Sequence, residues 1–203
     1  MNYEETIERM HSGRLYFCDN ERLIKEQMAY AEKLFQYNQL SPAQQSEKNE
    51  LLKEMFAEIG EGCYIESPLR ANWGGRNVHF GKNIYANFNL VLVDDTGIYV
   101  GDNVMFGPNV TLCAATHPIS PELRIKQVQY NLPVHIGKNA WIGSNSVILP
   151  GVTVGENSVI GAGSIVNKDI PANVVAVGNP CRVLREINDN DRKYYFKNRE
   201  IDL

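Results

Sequence analysis

A chain of 203 residues has room for one domain, or for one domain and a small cap. Its net charge of −4 argues against a general nucleic-acid surface, and it has no apolar run of about 18 residues to span a membrane. No signal peptide is evident and the four cysteines (Cys18, Cys63, Cys113, Cys181) lack CxxC spacing, so a cytoplasmic protein with reduced thiols is expected.

The first residues read as helices. "NYEETIERM" runs up to a glycine at 13. "DNERLIKEQMAYAEKLFQYNQ" (19–39) sets Leu23, Met28, Ala31, Leu34 and Phe35 along one face, with Asp19 in the N-cap place. "SPAQ" (41–44) has the form of a capping box with Pro42 at the first helical position. Leu51, Leu52, Met55, Phe56 and Ile59 supply that helix's apolar stripe. Residues 1–58 are expected as a helical cap, 59–186 as the main domain and 187–203 as a C-terminal helix and tail.

In the main domain the period changes. Phe80, Ala86 and Leu92 are six apart; Val100, Phe106 and Leu112 resume the spacing two residues late, so the chain bulges near "VDDTG" (93–97). Ile136, Ile142, Ile148, Val154, Ile160 and Val166 are again successive sixth residues, and small residues or valine (Ala140, Ser146, Val152, Ser158, Ser164) follow the first five by four places. Neither the 3.6 period of a helix nor the period of two of a strand gives this. It requires a chain that turns a corner every six residues, with one aliphatic pointing inward on each short side. Three sides make a coil, and Ile136 should stack on Val154, Ile142 on Ile160 and Ile148 on Val166. The expected fold is mainly β, a hexapeptide-repeat parallel β-helix whose first coil is covered by the helices. The pattern fails between 113 and 133, where "THPISPELRIKQVQYNLP" (116–133) reads as an excursion from the prism; long loops of this kind are usually functional or disordered.

Four histidines are candidates for proton transfer, since an ordinary imidazole titrates at about 6.5. His11 lies in the helical cap. His79 and His135, in "NVHFGKN" and "PVHIGKN", each precede an inward residue and should point outward, in structural roles. His117 alone opens the excursion. Near the end of the solenoid Lys168, Arg182 and Arg185 gather beside Asn167, a cationic group in an acidic chain.

The stretches "YANFN", "VDD", "ATHP", "NAWIGSNSVILPGV", "VIGAGSIVNKDIP" and "VGNPCRV" resemble the hexapeptide-repeat sugar O-acetyltransferases, over essentially the whole chain. The resemblance implies a left-handed β-helix, a homotrimer with active sites between subunits, acetyl-CoA as donor without a metal, and a small-molecule sugar acceptor. It puts the general base on His117 and a transition-state and donor contact on Asn87. Acceptor contacts fall on Asp19, Asn72 and Asp95, and donor contacts on Trp141, Ser144, Ala162, Asn167, Lys168, Arg182 and Arg185. Acetylation of the 6-hydroxyl of a galactoside is the expected reaction, with maltose or glucose as the alternative acceptor. "ANWGGRN" departs from the family pattern by one inserted residue, which leaves either Asn72 or Trp73 in the polar place.

Hexads alone also suit a β-helix carbonic anhydrase, which needs three convergent histidines, or a non-catalytic scaffold, which needs no His117 on a loop. A covalent acyl-enzyme on Cys113, four residues before His117, is a further variant.

Overall fold

The six-residue period folds into a three-faced prism. A computed structural model, which describes residues 1–203, stacks the inward side chains in three parallel ladders. Ile59, Phe80, Val100, Ile136 and Val154 form the first ladder. The second runs Ile65, Ala86, Phe106, Ile142, Ile160 and Ala176. Ala71, Leu92, Leu112, Ile148 and Val166 form the third. The three expected stacking pairs are the observed ones. Ile142, Ile148, Val154, Ile160 and Val166 are completely buried, and burial of each such side chain is worth about 1.5–3 kcal/mol relative to exposure.

The corners have a chemistry that the aliphatic pattern does not reveal. Asn83, Asn89, Asn103, Asn109, Asn139, Asn145, Asn157 and Asn173 have φ between 55° and 61°, a left-handed conformation that asparagine tolerates better than other residues with a side chain. Each stands three places after an inward residue. Along one edge their amides form a ladder, Asn83 to Asn103, Asn139, Asn157 and Asn173, through hydrogen bonds of 2.8–3.2 Å. Along a second edge Asn89, Asn109 and Asn145 repeat the arrangement at 3.1 Å.

The third edge is irregular. Segments 72–77, 94–97 and 114–133 all leave the prism there, on successive coils. The longest returns through the strand Val128–Asn131, which pairs antiparallel with Ala115–Thr116 on one side and with Tyr16–Phe17 on the other. A small sheet outside the solenoid thus ties the N-terminal arm to the residues around His117.

Helices α2 (Glu21–Gln39) and α3 (Gln45–Met55) cover the first coil, whereas α1 (Tyr3–Ser12) packs on the small external sheet. The Asn38 side chain exchanges two 2.8 Å hydrogen bonds with the Leu69 backbone, so an amide replaces the missing coil beneath that strand. Phe56 packs edge-on against Phe80, with ring centres 5.2 Å apart. Three local expectations change. Asn20, not Asp19, caps α2, accepting from the Arg22 and Leu23 amides. "SPAQ" forms a turn and α3 begins at Gln45, although the Gln44 side chain still accepts from the Ser41 N–H as in a capping box. The inward face of helix α2 is shifted from the expected one: Leu23 is buried and Leu34 packs on the core as expected, but Tyr37 joins them while Met28 and Phe35 are 64% and 59% exposed. The Tyr37 hydroxyl sets this rotation by donating to the Ile65 carbonyl at 2.6 Å.

At the far end the strand Arg182–Glu186 runs antiparallel to Val174–Val177 and covers the last edge. The C-terminal segment is helical only over Asp189–Lys193, after which Tyr194–Phe196 and Arg199–Glu200 form a hairpin.

Candidate active site

The three excursions enclose a cleft of about 900 Å³ against helix α2. Ala31, Leu34, Phe35 and Leu69 give it an apolar wall, and its polar end holds Asn72, Asp95, His117 and Gln129. Asn72, Asp95 and Gln129 also line an adjoining recess of about 190 Å³, together with Cys18.

The ring of His117 is oriented by the external sheet. Its Nδ1 lies 2.9 Å from the carbonyl oxygen of Val128. A carbonyl only accepts, so Nδ1 carries the hydrogen and Nε2 keeps the lone pair. The geometry therefore defines which nitrogen is available as a base.

Asp95 is 4% exposed and is gripped from two sides. The Asn72 amide donates to Oδ2 at 2.8 Å, and the Gln129 amide donates to Oδ1 at 3.3 Å. Burial raises the Asp95 pKa, while these donors oppose the shift. Its neighbour Asp94 is fully buried and accepts from the Trp73 and Gly75 backbone N–H groups at 2.7 and 2.9 Å. Burial pushes its carboxyl up to about 6 despite those bonds. Asp94 thus anchors the segment that follows Asn72. Asn72 bonds to Asp95, and Trp73, buried among Met10, Tyr16 and Leu23, borders the same recess as Asp95.

Asp19 lies outside the cleft, exposed, one residue from Cys18 of the recess. With Asn20 as the cap, no helix-capping role remains for it. His11 is drawn into the same corner, with Nδ1 3.0 Å from the Thr96 hydroxyl; burial, aided by Arg76, lowers its pKa. Cys113 donates its thiol to the Ala115 carbonyl, and burial raises its pKa, which disfavours a thiolate nucleophile. His79 and His135 are on the first face, stacked on either side of Tyr99 with ring centres 4.7 and 4.8 Å apart, in a column away from His117. No three His, Cys, Asp or Glu side chains converge anywhere as metal ligands.

The remaining expected residues are elsewhere. Asn87, Ser144 and Ala162 occupy the edge between the second and third faces, across the third face from His117. The Asn87 Oδ1 accepts from the Phe88 N–H at 2.9 Å, which leaves its Nδ2 hydrogens outward. The backbone N–H groups of Ser144 and Ala162 have no acceptor within the chain. Trp141 is 53% exposed on the second face. Asn167 and Arg182 meet at 3.3 Å, and Lys168 is exposed beside them. Arg185 is engaged differently: its guanidinium forks onto Asp191 with two 2.7 Å bonds, and this pairing holds the Asp191 carboxyl down at about 2. One chain therefore brings together Asn72, Asp95 and His117, but not those residues and the expected donor contacts.

Gln129 and Asp94 are site residues that the sequence did not single out. Gln129 gains its place by pairing with Tyr16, 113 positions earlier, a relationship without any spacing rule.

Comparison with known proteins agrees with this arrangement. Residues 9–60 match the family model described as the maltose acetyltransferase hexapeptide capping motif, and residues 133–168 match the bacterial transferase hexapeptide (six repeats). The chain is 56% identical over 199 residues to a galactoside O-acetyltransferase of Lactococcus lactis subsp. lactis (98% of this chain, 96% of the relative). It is 49% identical over 195 residues to the galactoside O-acetyltransferase of Escherichia coli (96% of each chain). A solved galactoside acetyltransferase in complex with coenzyme A superposes with a TM-score of 0.94 at 47% identity, covering 100% of both chains. The chain belongs to the hexapeptide-repeat sugar O-acetyltransferases, a family of acetyl-CoA-dependent enzymes.

Proposed function

We propose that the protein moves the acetyl group of acetyl-CoA to the 6-hydroxyl of a galactoside, with His117 Nε2 as general base. The observation that carries this is the Val128-fixed tautomer of His117 beside a polar row built on Asp95. A sugar hydroxyl is a poor nucleophile until its proton is removed. Nε2 takes that proton as the oxygen attacks the thioester carbon. The C–S bond then breaks, and the imidazolium returns the proton to the departing thiolate. The outward Nδ2 of Asn87 and the Ser144 N–H are suited to the negative charge that develops on the carbonyl oxygen. Asp95, Asn72 and Asp19 accept from ring hydroxyls. Trp141 and Ala162 line the path of the pantetheine arm, while Asn167, Lys168 and Arg182 meet the phosphates. Arg185 can join them only by leaving Asp191.

Because acceptor and donor groups lie on opposite edges of the third face, the reaction needs two chains. The outward residues of the second face (Tyr64, Tyr85, Met105, Trp141, Val159, Val175) and most of those of the third (Val91, Thr111, Val147, Ile165) suit burial; the first face carries Glu58, His79, Tyr99, His135 and Thr153. Two different faces, each meeting the other on a neighbour, fit a cyclic homotrimer. The four cysteines are unpaired, consistent with a cytoplasmic setting, and no helix is long and apolar enough to cross a membrane. The galactoside assignment, over maltose or glucose, draws on the names of the two bacterial relatives.

The test is thiol release from acetyl-CoA with a β-galactoside, its 6-deoxy analogue and maltose. The galactoside should lead, with the 6-deoxy sugar inert. Equal rates for the deoxy sugar would remove the 6-hydroxyl, and a tenfold lead for maltose would remove the galactoside.

A further inference from the structure

Gln129 is held in a single orientation. Its Nε2 donates to the Tyr16 hydroxyl and to Asp95 Oδ1. Tyr16 is itself buried and is fixed by a second amide, Asn131, at 2.9 Å. A carboxylate can only accept, so Asp95 forces the nitrogen end of Gln129 toward itself and leaves Oε1 unpaired in the wall shared by the cleft and the recess. The same logic applies to Asn72, whose Nδ2 gives one hydrogen to Asp95 Oδ2 and so turns Oδ1 away from it. Asn72 Oδ1, the remaining Asp95 lone pairs and Gln129 Oε1 therefore offer adjacent acceptors, beside the second Nδ2 hydrogen of Asn72. These acceptors suit adjacent hydroxyl groups that each offer a hydrogen.

We propose that Gln129 is an acceptor-binding and specificity-determining residue, accepting a hydrogen bond from one ring hydroxyl of the sugar through Oε1. The proposal rests on the sugar O-acetyltransferase reading and names a further contact within that site. Tyr16 is its positioning residue, acting only by holding the Gln129 amide.

The experiment measures kcat and KM for the wild type, Gln129→Leu and Tyr16→Phe on a pyranoside and its 2-, 3- and 4-deoxy analogues. The parent sugar is whichever pyranoside the wild type acetylates fastest. A parent that is not a galactoside would overturn the substrate assignment while still reading Gln129. The wild type should lose about three- to tenfold in kcat/KM when the hydroxyl facing Gln129 is deleted, the usual range for one hydrogen bond. Gln129→Leu should raise KM for the parent by about the same factor, leave the acetyl-CoA KM unchanged, and abolish discrimination against that one analogue only. Tyr16→Phe should give a smaller rise in KM with discrimination retained, and provides a second readout if Gln129→Leu folds poorly. Retention of the full deoxy discrimination by Gln129→Leu would overturn the proposal. So would a loss in kcat alone, or an equal loss on every analogue, since a structural role would produce those patterns.

Discussion

Replacement of His117 separates two roles of one ring. The imidazole is tied to the fold by a single hydrogen bond, Nδ1–H to the Val128 carbonyl. Loss of one such bond costs about 0.5–1.5 kcal/mol of stability, or a fall in melting temperature of about 1–6 °C for a chain of this size. Loss of a general base costs about 10²–10⁴ in rate, equivalent to about 3–5 kcal/mol on the barrier. The catalytic loss should therefore far exceed the structural one. His117→Ala should remain folded and bind acetyl-CoA with an unchanged KM, while kcat for thiol release falls by about 10²–10⁴. His117→Asn keeps a side-chain N–H for Val128 but has no basic nitrogen, and it should be as inactive as the alanine variant. If His117→Asn retained turnover within about tenfold of the wild type, the ring would be an anchor and the base would lie elsewhere.

Three other outcomes follow from the same geometry. The Asp94 carboxyl titrates at about 6 in the fold against 3.8 as its ordinary value, so its stabilising contribution is complete below 3.8 and is lost as pH rises through 6. Between pH 5 and pH 8 the wild type should lose about 1 kcal/mol relative to Asp94→Asn in urea unfolding, and parallel pH curves would refute the buried-carboxyl account. Asn139, at φ 58° with amide bonds to Asn103 and Asn157, should tolerate glycine better than alanine. Alanine should be less stable than glycine by about 1 kcal/mol, and equal stabilities would show that the left-handed corner is not the constraint. Co-assembly of His117→Ala with Arg182→Glu should restore activity that neither variant has alone. In a randomly mixed cyclic trimer one site in each mixed assembly recovers both halves, giving about a quarter of wild-type activity; no recovery would place both halves in one chain.

The ladders were legible because the inward residue recurs at a fixed spacing and nothing else in the chain competes with it. Helix α2 was less so. A hydrophobic stripe shows which side of a helix is apolar but not what it meets, and here Met28 and Phe35 lie outside the chain's own core while the Tyr37 hydroxyl sets the rotation. His117 was visible from its position at the head of the excursion. The row Asn72, Asp95 and Gln129 was not visible as a set, because its members belong to insertions of unequal length and share no period. Arg185 looked like a free cation because its partner, Asp191, acts through a capping box on a five-residue helix that composition does not announce.

On the proposed assignment, the division between coil and insertion also divides the chemistry. Coils are spaced about 4.8 Å apart, so segments that leave the same edge on successive coils arrive beside one another without any further long-range fold. Asn72, Asp95 and the strand carrying Gln129 meet for that reason, and Asp94 and Asp95 join them across coils. The lengths of these segments can change without altering a ladder, because the inward residues resume their stacking after each one. Ser144 and Ala162, by contrast, sit in turns of uninterrupted hexads. On the proposed assignment, acceptor recognition resides in the interruptions of the repeat and donor recognition in the repeat itself. The "ANWGGRN" segment falls in an interruption, where Asp94 and the buried Trp73 secure it, so on the proposed assignment its length can reshape the sugar end of the site while the donor edge remains unchanged.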